Sequence, residues 1–161
     1  MENKLRIEKR DIYTIEVNDN GDTIEFDLAD IELPFKCERA LDKINKLKKD
    51  FNIKIKIINK KQDFTKKGEY MSNNEKELLN AQKQMFKDMR IAMDEFLGQG
   101  ACQKIFGDRN YLEMYDDLMK ELNPHLDKME FNLKGIKKRI IDKYADKNTK
   151  VIKWFILNLL K

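Results

Sequence analysis

A chain of 161 residues is of ordinary size for one domain with at most a small appended piece, and 41% hydrophobic against 39% charged residues gives it a thin core spread over long amphipathic elements. One histidine, His125, and two isolated cysteines, Cys37 and Cys102, cannot supply the three or four ligands of a metal cage; lone cysteines of this kind suggest buried thiols in a reducing compartment. The net charge of +4 conceals an acidic head: residues 1–35 hold ten acidic and four basic residues, against twelve basic and four acidic in 36–67 and ten basic and three acidic in 128–161.

The first element is a β-hairpin between Asp11 and Asp27. Ile12, Thr14 and Glu16 alternate with Tyr13, Ile15 and Val17, Asn20-Gly21 offers the positive φ that tight hairpin turns need, and Thr23 to Phe26 returns. Two strands alone are marginal in water, so they must pack on a helix or pair with another chain. Asp30 and Pro34 fit a helix start. Cys37, Leu41, Ile44, Leu47, Phe51, Ile55 and Ile58 then recur at steps of three and four, one stripe flanked by lysines. Residues 51–58 also carry a rival pattern, since β-branched Ile53, Ile55 and Ile57 alternate with polar residues as in a strand; the unbroken spacing favours the helix.

Residues 66–74 form a polar hinge containing Gly68. Ser72, Asn73 or Asn74 can cap the next helix, with Glu75 and Glu77 in its first turn. Leu78, Gln82, Met85, Met89, Met93 and Phe96 mark one face of that helix, broadened by Leu79, Phe86 and Leu97, and it should end at Gly98. A short turn from Ala101 to Phe106 follows, then a helix over 111–122 capped by Asp108 and stopped at Asn123-Pro124. Beyond it the pattern predicts a basic helix from about His125 to Tyr144 and an apolar helix through Leu160. That tail, with Trp154 and Phe155, is either a closing element of the core or a docking helix, and its run of about ten mostly apolar residues is too short to span a bilayer. No apolar signal core opens the chain, so a cytoplasmic location is expected, with no membrane partner.

Chemistry-bearing motifs are missing. There is no GxGxxG, GxxxxGK[ST] or GxSxG, and HExxH cannot occur with one histidine, so no enzyme and no cofactor are expected. Carboxylates at Glu113, Asp116, Asp117 and Glu121 read as a solvated helix face. Asp19-Asn20-Asp22 lacks the rest of a calcium loop. Cys102, with no histidine near it in sequence, reads as buried and inert. Eight methionines and nine phenylalanines supply adaptable apolar surface. The residues themselves therefore describe a protein that binds macromolecules.

The segment MDEFLGQGACQKIF, Met93 to Phe106, followed by Gly107-Asp108, resembles a signature of tail assembly chaperones from tailed phages of Gram-positive bacteria, in which an aromatic-rich helix ends in FLGEG or LFGEG and a turn of the ACKKIFG type follows. Phe96, Leu97, Gly98, Gly100, Ala101, Lys104, Ile105, Phe106 and Gly107 match that pattern, and Gln99 stands where Glu is usual. Phe26-Asp27 and the helix CERALDKINKL also resemble the family's upstream part. The likeness covers roughly residues 13–122 and is weakest after Pro124.

The resemblance implies a non-catalytic chaperone that binds the tape measure protein, with the tail tube protein as a further partner, self-associates, and is absent from the mature virion. It implies a corner built by Phe96, Leu97, Ile105, Phe106 and Tyr111, with Gly98, Gly100 and Gly107 needed for backbone angles or close packing. The overall expectation is a mainly α (α+β) fold, a short N-terminal β-hairpin followed by a bundle of about five helices, organised as 1–29, 30–123 and 124–161. The alternative partner is nucleic acid, gripped by the basic helices in 36–67 and 128–161; the interleaved Asp and Glu argue against it.

Overall fold

The computed structural model describes residues 3–9, 11–129 and 138. In chain order they form β1 (Ile12–Glu16), β2 (Thr23–Asp27), α1 (Leu33–Asn59), α2 (Asn73–Leu97), α3 (Ala101–Phe106) and α4 (Met114–Lys128). The protein is thus mainly helical with a two-stranded antiparallel hairpin. Four helices stand among the described residues where about five were expected. The apolar tail with Trp154 and Phe155, and nearly all of the expected basic helix beyond Met129, lie outside the described residues. The chain divides into two units, Met1–Asn110 and Tyr111–Lys161.

In the first unit, β1 and β2 pair with Tyr13 opposite Phe26 and Ile15 opposite Ile24. These four side chains share one face by strand alternation, and Ile24 and Phe26 are buried. The connection is a four-residue loop, 18–21, that contains Asn20-Gly21. Val17 N–H bonds the Asp22 carbonyl across it, and only Gly21 takes a positive φ, 81°. Asn18 explains its length: its Oδ1 accepts from the backbone N–H groups of Asn20 and Asp22, building a side-chain turn that competes with a tight Asn-Gly reversal.

Residues 51–58 are helical, so the strand alternative for Ile53, Ile55 and Ile57 falls away. Pro34 stands in the first turn of α1, where its missing N–H costs nothing. Just ahead of it, Asp30 accepts from Glu32 N–H and ion-pairs with Lys36 at 2.9 Å. Of the stripe read from the spacing, Cys37, Ile44 and Ile58 are buried and Leu41, Leu47, Phe51 and Ile55 half-buried, while Ala40, outside that stripe, is buried as well. Ile53 and Ile57, half a turn away, face solvent. α2 packs antiparallel on α1, with Lys43–Glu95 at 2.7 Å and Lys61–Glu77 at 2.6 Å near the two ends of the pair. These bridges are half exposed and fix register more than stability.

Ser72 caps α2 in a full capping box with Glu75. Met85, Phe86, Met89, Met93, Phe96 and Leu97 are buried as the face predicted, and Ala92, not read as part of it, is buried too; toward the N-terminal end of the face Leu78 and Gln82 are half-buried and Leu79 is exposed.

In the second unit α4 corrects two expectations. Asp108 does not cap it; Asp108 accepts from the Gln103 amide instead, and the residue before the helix, Glu113, makes no side-chain cap. Nor does Pro124 stop it, since the helix runs on to Lys128 with the proline inside and takes up His125. A proline there costs about 3 kcal/mol. Leu118, Leu122 and Met129 form one buried stripe on both sides of it, and that burial carries the helix through.

Candidate partner-binding corner

The corner begins where α2 ends. Asp94 and Glu95 occupy its last turn, where the helix dipole disfavours carboxylates and no basic residue compensates. Asp94 has another task. Its Oδ2 accepts from Gly100 N–H at 3.1 Å and its Oδ1 from Cys102 N–H at 2.8 Å, so the side chain of one helix caps the next. α3 is too short to be stable alone, and this bond pair pins it to α2.

The three glycines set the path. Gly98 (φ 108°, ψ 152°) ends α2, Gly100 (φ 77°) opens α3, and Gly107 (φ 61°, ψ −139°) ends it. A Cβ at any of them would meet nothing within 4 Å. Of the two reasons anticipated, backbone angle is therefore the operative one and close packing is not.

Arg90, one turn before Asp94, holds the far side. Its guanidinium donates to Asn110 Oδ1 at 2.9 Å and to the Arg109 carbonyl at 2.7 Å, and it lies over the Phe106 ring, 6.0 Å from the centroid. Lys104 and Asn18 tie the corner to the hairpin. Lys104 Nζ donates to the Thr23 carbonyl, and Asn18 Nδ2 to the Lys104 carbonyl, both at 3.0 Å. The Phe26 and Phe96 rings meet beneath at 5.4 Å, tilted by 47°.

The structure separates the residues singled out by sequence. Phe96 and Leu97 are core; Ile105, Phe106 and Gly107 are half-buried, with Phe106 beneath Arg90. Gly98 is exposed and Gly100 half-buried. Tyr111 is half-buried and belongs to the second unit. Trp154 and Phe155 lie outside the described residues. Arg90, Asp94 and Asn18 were missed, and Lys104 matched the signature without being given a role. Only Asp94 left a signal, an acidic residue in a helix's final turn.

Both cysteines are buried. Burial, then the Glu38 charge, pushes the Cys37 thiol up to about 11. Burial, then the Asp94 carboxylate, pushes Cys102 up to about 12. Neither is a ready nucleophile at neutral pH.

Exposed apolar side chains lie elsewhere. Ile53 and Ile57 on α1, Leu79 and Ile91 on α2, and Phe64, Tyr70 and Met71 in the loop between them are exposed. Among the described residues no group of three or more His, Cys, Asp or Glu could hold a metal ion, and no helix is long and apolar enough to cross a membrane. The chain matches no protein-family model, no curated protein and no solved structure.

Proposed function

We propose that this chain is a non-catalytic tail assembly chaperone that holds a phage tape measure protein, a long helical client, until the tail tube protein assembles around it. The carrying observation is the corner: in the segment that resembles the family signature, every glycine of the pattern sits at positive φ and every matched apolar residue is buried or half-buried. That is what a pattern specifying a backbone path, rather than an active site, would require. The long α1–α2 pair, with apolar side chains left in solvent on both helices, suits many weak contacts along a filament-like client. Self-association belongs to the same reading.

The test is co-expression with a tape measure fragment that is insoluble alone, followed by sizing of the soluble fraction. Co-elution is expected; a chain that leaves the fragment in the pellet ends the proposal.

One observation favours a second reading. The α1–α2 loop carries Lys60, Lys66 and Lys67 around exposed Phe64 and Tyr70, the cation-and-aromatic mixture that grips single-stranded nucleic acid. Such binding would weaken steeply with salt, whereas an apolar client would hold.

A further inference from the structure

The acidic head of the sequence is two regions of opposite sign. Residues 1–10 contain four basic and two acidic residues; residues 11–35 contain eight acidic and no basic ones. In the structure residues 3–9 of the first form an arm, and the second holds the hairpin and the start of α1. The arm residues have no regular secondary structure and are all exposed, with Leu5 at 88% and Ile7 at 86%. Asp11, at φ 53°, breaks the arm from β1 so that it does not run on as the same strand.

The hairpin has room for what the arm carries. Its sheet has two strands, so among the described residues no strand lies along the outer edge of β1, while the outer edge of β2 is engaged at the Thr23 carbonyl by Lys104. On the apolar face of β1, Tyr13 and Ile15 are only half-buried. On its other face are Thr14 and Glu16, next to Glu25 of β2. In the arm, Leu5 and Ile7 alternate with Lys4, Arg6 and Glu8, so a strand formed there presents two apolar side chains to one face and two cations with one carboxylate to the other.

We propose that the arm of one copy pairs as a third strand along the open edge of β1 in a second copy, with Leu5 and Ile7 extending the apolar face and Arg6 beside the acidic one. Reversal within a single chain is the rival. In the structure residues 3–9 stay exposed and form no strand on their own hairpin. An arm from a second copy is not held by the short connection to its own β1 and can take the register that sorts its two faces. Reciprocal exchange engages two arms at once and closes as a two-fold dimer. It also covers an edge that would otherwise invite open-ended pairing.

This inference takes from the proposed function only the expectation of self-association. A chain that dimerises through its arm yet ignores every helical client keeps the one and loses the other. The experiment is sedimentation velocity of the full chain over a range of concentrations, alongside the double variant L5D/I7D. A concentration-dependent dimer is expected, weakened roughly tenfold or more in the variant and unchanged in helical circular dichroism. A dimer that survives in L5D/I7D overturns the proposal, because another face then holds it. A monomer at every concentration also overturns it, and hydrogen-exchange protection at Leu5 and Ile7 in that monomer would show the arm docked on its own sheet.

Discussion

The two ends of α2 solve the same problem with the same kind of device and reach opposite results. At the N-terminal end, loop 60–72 is ordered by polar side chains. Asp63 accepts from the backbone N–H groups of Phe64 and Asn74, and Asn74 Nδ2 donates to the carbonyls of Ile58 and Lys61. The Ser72–Glu75 box completes it, and Lys76 ion-pairs with Glu69. At the C-terminal end Asp94 and Arg90 gather backbone groups in the same way. Yet Phe64 and Tyr70 remain in solvent at the first end, whereas Phe96, Leu97, Ala101 and Cys102 are buried at the second. Hydrogen bonds order a turn in either place; what differs is whether a second layer arrives to cover the apolar side chains. The hairpin and α3 cover the corner, and nothing described covers the loop.

That contrast is broken first with matched truncations. Phe96→Ala should cost about 3–5 kcal/mol in urea unfolding, since it opens a cavity against Phe26, whereas Phe64→Ala should stay within about 0.5 kcal/mol. Equal losses would mean that the loop aromatic is packed. Next comes Asp94→Ala, which leaves the Gly100 and Cys102 amides without their acceptor and should cost about 2 kcal/mol. Gly98→Ala should cost about 1–3 kcal/mol from backbone strain alone, because the added methyl finds open space. Ser72→Ala, at the opposite end, should cost about 1 kcal/mol.

The smallest effects are electrostatic. The Ser72 side chain and the Asn74 backbone N–H hold the Asp63 carboxyl below its ordinary value, and the Lys36 side chain, then the Glu32 N–H, does the same for Asp30. A carboxyl with a depressed folded-state pKa contributes stability that is present above its unfolded value, near 4, and lost as pH falls through the folded one. Melting temperature should therefore drop on acidification below about pH 4, less steeply in Asp63→Asn and Asp30→Asn. Thiol titration sharpens the burial side of the comparison: Cys37 and Cys102 should resist alkylation at pH 7.5 (a mildly alkaline assay, about one unit below a free thiol) and both react in denaturant.

Regular spacing made much of this fold legible. The α1 stripe, the α2 face, the short helix at 101–106 and the two strands follow from periods of 3.6 and 2, and the glycine ends followed from the scarcity of residues that accept positive φ. The misread places are those where a local preference was outweighed. Pro124 ends helices on average, but a buried stripe spans it here. Asp108 had the look of a cap and bonds Gln103 instead. Within the candidate site the sequence pointed to the apolar residues and glycines, and missed the polar side chains that hold them.

By itself, then, the sequence determined most of the helix and strand segments among the described residues and most of their apolar faces, because these depend on neighbours within a few residues. Only the tertiary structure decided that Asp94 caps a helix other than its own, that Asn18 and Lys104 lock the hairpin to the corner across more than eighty residues, and that Phe96 is core while Phe64 is not. Those outcomes depend on which distant element arrives to complete a hydrogen bond or exclude water, and no local period encodes that arrival.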